Sequence, residues 1–334
     1  MANFNQILSD LRAKKYHPIY FLMGDEPFYI DQITNYISKH VLEEHEKDFN
    51  QTVLYGKDTS VDEIIAVAKR FPMMSEYQVV IVKEAQHIRN IEAIEAYAKQ
   101  PLASTLLVIN YKYKKLDKRK AAAKTIAKNA LLFESQKLRD YQIPDWISKE
   151  VGNSGLTIDP KNAGLLAEFL GTDLNKIHNE LQKLKLVLPK GEAITTEVIE
   201  KNIGISKDFN VFELQTALAK KDILKANRIA KYFEQNPKDN PFVVTISSLF
   251  NYFSKILQLH FSKNKNNDQV LAGELKVHPF FVKEYKMAAR NYSPKKLIKI
   301  IGYLREYDLK SKGVNNISTT DGDLLKEMLY KILH

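Results

Sequence analysis

Along the first 140 residues, short apolar runs alternate with stretches in which apolar residues recur at helical spacing. Ile19-Tyr-Phe-Leu-Met23, Thr52-Val-Leu54, Val79-Val-Ile-Val82, Thr105-Leu-Leu-Val-Ile109 and Leu131-Leu-Phe133 have strand length and are rich in Val, Ile, Leu and aromatics. Between them, Ile30 to Leu42 and Asp62 to Ala68 read as helices. Strands that alternate with helices predict a parallel sheet covered on both faces, an α/β domain over residues 1–140.

Beyond Pro144 the strand signals stop. Asp159-Pro160 offers an N-cap followed by proline in the first helical turn, and Gly171-Thr172 is expected to close that helix and cap the next. Leu174, Ile177, Leu181 and Leu184 then form an amphipathic stripe at spacings of 3, 4 and 3. Residues 141–208 are therefore expected to form a small helical domain. From Phe209 the pattern is helical again, with Val243, Ile246, Phe250, Phe253 and Leu257 at 3, 4, 3 and 4, and Lys263 to Asp268 as a polar loop. The organisation predicted is 1–140, 141–208 and 209–334.

Composition narrows the function classes. The chain has 334 residues, 44% hydrophobic and 27% charged, which is a folded protein and not a disordered tail. It has no cysteine, so disulfide scaffolds, thiolate zinc sites and cysteine nucleophiles are excluded. Met1 to Pro18 lacks the layout of a signal peptide, and the uncharged window Asn240 to Ser254 falls short of the roughly 20 apolar residues of a membrane span. A cytoplasmic location without membrane attachment is expected.

The net charge of +10 is unevenly placed. Residues 209–334 hold 21 Lys+Arg against 12 Asp+Glu, and residues 112–128 hold eight cations against Asp117 alone, a local +7. Such clusters suit a phosphate-bearing partner, since Lys and Arg displace counterions from nucleic acid, and they equally suit a solvated surface.

The place after the first strand, where a phosphate loop would bring glycines and a lysine, reads Gly24-Asp-Glu-Pro-Phe-Tyr29: one glycine, no lysine and two carboxylates. The strand that would end in a magnesium-binding aspartate ends in Lys83-Glu84. Both features argue against ATP hydrolysis. His40-Val-Leu-Glu-Glu-His45 spaces its imidazoles by five residues, about 140° apart on a helix, and reads as a charged helix end in preference to a metal motif. No Gly-x-Ser-x-Gly elbow is present. No catalytic, cofactor or metal site is predicted. Phe71-Pro-Met-Met74, just ahead of a strand, either plugs the end of the sheet or forms an exposed apolar wedge of the kind methionine favours on protein-binding surfaces.

Taken together, Tyr20-Phe-Leu-Met-Gly-Asp-Glu-Pro-Phe28, the run from Phe71 to Lys83, Lys115-Leu-Asp-Lys-Arg-Lys120, the run from Gly171 to Leu184 and Tyr307-Asp-Leu-Lys-Ser-Lys-Gly313 resemble the delta-subunit family of the bacterial DNA polymerase III clamp loader, in this order over nearly the whole chain. The resemblance implies an AAA+-like architecture: a RecA-like parallel-sheet domain without a functional phosphate loop, a small helical lid, and a helical collar that joins five clamp-loader subunits in a ring. It implies a subunit that binds and helps open the sliding clamp for loading onto primed DNA, and that is no enzyme by itself, since nucleotidyl transfer belongs to the holoenzyme. The clamp-binding residues implied are Phe71, Met73 and Met74. Lys115, Lys118, Arg119 and Lys120 would lie near DNA, and Asn175 matches the position where AAA+ ATPases carry a nucleotide-sensing arginine. The alternative is a DNA-binding AAA+-like protein of replication or repair whose nucleotide site has degenerated.

Overall fold

The computed structural model describes residues 3–206 and 209–334, and the chain divides into two compact units, Met1–Leu138 and Arg139–His334. The first boundary falls beside the expected one at 140. The boundary expected at 208 lies at Asp208, outside the described residues.

The first unit runs α1 (Phe4–Arg12), β1 (Ile19–Gly24), α2 (Pro27–His40), α3 (Glu44–Asn50), β2 (Gln51–Tyr55), α4 (Val61–Ala68), β3 (Gln78–Lys83), α5 (Glu95–Ala98), β4 (Thr105–Lys112), α6 (Ala121–Asn129) and β5 (Leu131–Ser135). All five predicted strands are present, parallel, in the order β2-β3-β4-β1-β5. Because side chains alternate along a strand, every strand but the edge strand β2 feeds two cores. Phe21, Met23, Val80, Val82, Leu107 and Ile109 pack on one face with Ile64 of α4, Tyr97 of α5 and Ile126 of α6. Tyr20, Leu22, Val79, Ile81, Leu106, Val108 and Phe133 pack on the other with Ile7 and Leu11 of α1 and Ile30, Ile33 and Ile37 of α2. Burial on both faces explains why the strands read as unbroken apolar runs. β2 is an edge strand, and it leaves Val53 and Tyr55 exposed.

The second unit is helical: α7 (Ile143–Asn153), α8 (Pro160–Leu170), α9 (Leu174–Val187), α10 (Thr196–Ile203), α11 (Val211–Lys220), α12 (Ile223–Gln235), α13 (Phe242–Phe261), α14 (Asp268–Leu275), α15 (Val282–Asn291), α16 (Pro294–Ser311) and α17 (Asp321–Leu333). Two short strands, β6 (Thr157–Ile158) and β7 (Ala193–Ile194), pair in parallel, where the sequence predicted none; two residues each are too few for a periodic signal. Asp159 caps α8 as expected, its carboxylate accepting from the Asn162 N–H at 2.7 Å. Gly171 ends α8 at φ 77°, but the cap of α9 is Asp173 and not Thr172; its carboxylate takes the N–H groups of Asn175 and Lys176. The α9 stripe Leu174, Ile177, Leu181 and Leu184 is buried.

In α13 the predicted stripe is only half right. Ile246 and Phe253 are buried, but Val243 and Phe250 are 48% and 45% exposed. The buried face instead runs through Phe242, Leu249, Tyr252, Phe253, Ile256 and Leu259, rotated from the predicted one. By length and composition α13 is apolar enough to cross a bilayer, yet half of its most apolar window is packed inside the unit, as befits a core helix.

Candidate functional site

The segment between α4 and β3 presents apolar side chains to solvent. Phe71 is 76% exposed, Met73 62% and Met74 102%, so none of them plugs the sheet. Side chains with no packing cannot anchor a loop, and its shape is held through the backbone instead. Asn50, buried at the end of α3, accepts the Met73 N–H at 2.7 Å and donates to the Met73 carbonyl at 3.0 Å. Ser75 hydrogen-bonds the Glu46 carboxylate; with the larger effect of the Glu43 N–H, this holds Glu46 below the usual glutamate range. Met74 sits in the left-handed region at φ 55°.

The other end of the loop is tied to the sheet. Gln78, the first residue of β3, donates through its side-chain amide to the carbonyls of Ala68 at 3.2 Å and Arg70, and to the Thr105 hydroxyl at 2.8 Å. Thr105 and Tyr97 in turn donate to the Ala68 carbonyl at 2.9 and 3.2 Å. These bonds satisfy the carbonyls freed where α4 ends, inside a buried setting in which an unpaired carbonyl would cost about 1–3 kcal/mol.

The position of the missing phosphate loop shows what replaces it. Gly24 ends β1 at φ 123°, and a Cβ there would lie 2.0 Å from the Ser135 carbonyl oxygen, so only glycine fits. Glu26 then caps α2, its buried carboxylate accepting the Phe28 N–H at 3.1 Å. The helix N-terminus that would receive a phosphate is thus occupied by the chain's own anion. At the end of β3, the exposed Lys83 lies over the Tyr55 ring at 5.9 Å.

The basic segment is largely neutralised by carboxylates from elsewhere in the same unit. Lys115 bridges Asp25 at 3.0 Å and Glu134 at 3.2 Å; Lys118 meets Glu134 at 2.7 Å. Arg119 pairs with Asp117 at 2.9 Å, Lys120 with Glu92 at 2.9 Å, and Lys112 with Asp31 at 2.6 Å. Lys118 and then Lys115 hold the largely buried Glu134 carboxylate below the ordinary glutamate range. With Asp25, Asp31, Glu92 and Glu134 counted, the local +7 falls to +3.

The sequence profile of DNA polymerase III, delta subunit, matches residues 20–136, and that of the DNA polymerase III delta subunit, C-terminal domain, matches residues 208–329. The chain belongs to the DNA polymerase III delta-subunit family. DNA polymerase III subunit delta of Bacillus subtilis is 29% identical over 318 residues, covering 92% of this chain and 91% of that protein. The solved structure of the Bacillus subtilis DNA clamp loader delta protein matches with a TM-score of 0.57 and 28% identity over 99% of both chains. The fold is accordingly AAA+-like, with a RecA-like parallel sheet and helical domains after it, and membership in the family gives the chain a clamp-loader role in replication.

Within this delta-family fold the residues singled out from sequence fall in separate places. Phe71, Met73 and Met74 share one exposed loop, and Lys115 to Lys120 lie between β4 and α6. Asn175 is the second residue of α9, half-buried and uncharged. His40 ends α2 and His45 lies in α3, so the two imidazoles do not share a helix, and both are exposed. Sequence reasoning missed Asn50 and Gln78, whose partners lie 23 residues away for Asn50 and 8 to 27 away for Gln78. A polar residue before or at the start of a strand carries no local signal of such a role.

Proposed function

We propose that the chain is a non-ATPase clamp-loader subunit of the DNA polymerase III holoenzyme that binds the sliding clamp through Phe71, Met73 and Met74 and helps to open it on primed DNA. One observation carries the reading: in a delta-family chain, the three large apolar side chains flanking Pro72 stand in solvent on a loop held through its backbone. Long, flexible Met side chains on a preorganised loop suit insertion into an apolar pocket, where a few central side chains supply most of the binding energy. Residues 141–208 would serve as lid and 209–334 as collar, the latter joining the other subunits of a five-membered ring. A place in the replisome implies a cytoplasmic location.

Lys115, Lys118, Arg119 and Lys120 would meet DNA phosphates only by exchanging their present carboxylate partners. The alternative of an independent DNA-binding protein draws no support from these four paired side chains.

The deciding experiment uses a Met73→Ala, Met74→Ala variant. Each truncation should cost about 1–3 kcal/mol of clamp affinity, as for central interface side chains. Thermal stability should be unchanged, because neither side chain fills the core; a core methionine would cost about 2–5 kcal/mol of stability instead. A folded double variant with parental clamp affinity would refute the assignment.

A further inference from the structure

We propose that Asn50 is a positioning residue of the docking loop: its side-chain amide binds both backbone groups of Met73 and so fixes the direction in which Met73 and Met74 project. This rests on the reading of Phe71 to Met74 as the clamp-binding element.

The geometry is specific. The Asn50 amide has one acceptor oxygen and two donor hydrogens, and all three are used: Oδ1 takes the Met73 N–H at 2.7 Å, while Nδ2 gives to the Met73 carbonyl at 3.0 Å and the Glu46 carbonyl at 3.1 Å. The two bonds to Met73 imitate a strand partner at a single residue. Asn50 itself is 4% exposed, at the junction of α3 and edge strand β2, so its position is set by helix and sheet together. A loop with exposed Phe71, Met73 and Met74 side chains gains little from burial, and these bonds replace packing as the source of order. Order present before binding lowers the entropy lost when the loop enters a pocket. Asn50 is buried and its side chain bonds only backbone groups of its own chain, so it acts through Met73.

The test uses the full chain and its cognate sliding clamp. Asn50→Asp keeps the acceptor and the size but removes both donors and sets a carboxylate against two carbonyls; Asn50→Ala removes everything. Asn50→Ala should make the Met73 amide exchange its hydrogen about tenfold faster, since it alone removes the acceptor of the Met73 N–H, and both variants should weaken clamp binding about tenfold, as the loss of the bond to the Met73 carbonyl implies. In a Met73→Ala, Met74→Ala background, the Asn50 substitutions should weaken clamp binding no further, because nothing remains to be positioned. Unchanged amide exchange in Asn50→Ala, unchanged clamp affinity in both variants, or a full additional loss in the double-methionine background would each overturn the proposal. Parental clamp binding by Met73→Ala, Met74→Ala alone would sink the functional reading instead, and amide exchange would still decide whether Asn50 orders the loop. Should both Asn50 variants unfold, Pro72→Gly loosens the same loop without touching the buried amide. It should weaken clamp binding at an unchanged melting temperature, and parental affinity would count against positioning.

Discussion

Glu134 shows how one side chain alters the meaning of a charge cluster. It lies in β5 with its side chain 11% exposed, and it receives Lys115 and Lys118 at 3.2 and 2.7 Å. Those ammonium groups hold its carboxyl below the usual glutamate range, Lys118 having the larger effect. A carboxylate whose folded-state pKa is depressed adds stability that is present above its unfolded value, near 4.3, and is lost as pH falls through the lower folded value. Lys118→Ala should therefore move the Glu134 carboxyl titration upward, by more than Lys115→Ala does, and make acid unfolding begin at higher pH. Side-chain carboxyl NMR across a pH series reads both effects, and a Glu134 titration indifferent to Lys118 would contradict the pairing. The eight cations of the segment were visible in the sequence; their partners, drawn from β1–α2, the segment before α5 and β5, were not.

At the scale of elements, α13 is the instructive case. It is apolar on most of its circumference, so spacing alone does not choose which side faces the core. Packing against α16, α15 and α11 buries one face and leaves Val243, Phe250 and Phe261 at 48%, 45% and 73% exposure. This outer row is where contacts between collar domains are proposed, because an exposed apolar row is costly unless a partner covers it. Phe250→Asp should leave the melting temperature near that of the parent and abolish entry into the clamp-loader ring in size-exclusion chromatography; normal assembly would move the contact elsewhere. The amphipathic α9, by contrast, has one apolar face, and its stripe was legible as written. Its cap falls one residue later than local pattern predicts, because Thr172 and Asp173 are both good caps and only the backbone path after Gly171 chooses between them.

For the whole molecule, the nucleotide question follows from the first unit. Glu26 occupies the N-terminus of α2, Lys115 is committed to Asp25 and Glu134, and Lys83 stands where a metal-binding acid would be needed. Equilibrium titration of the isolated chain with a fluorescent ATP analogue should show no binding in the micromolar range. Binding at that level would require Glu26 to vacate the helix end and would refute the reading of a replaced phosphate site.

Local pattern determined a great deal here. Strand positions other than that of the edge strand β2 follow from unbroken apolar runs buried on two faces, the α8 cap from Asp159-Pro160, and the replacement of a phosphate loop from residue types between Gly24 and Tyr29. Each is a property of neighbours in the chain. Whether Phe71, Met73 and Met74 were core or wedge was undecidable at that level, because an apolar residue before a strand suits either fate. Tertiary structure decided it by supplying groups distant in sequence: Asn50 to hold the Met73 backbone, Gln78, Thr105 and Tyr97 to secure the end of α4, and Glu134 and Asp25 to neutralise Lys115. Burial and pairing depend on what the rest of the chain brings alongside, and no single stretch of sequence contains that information.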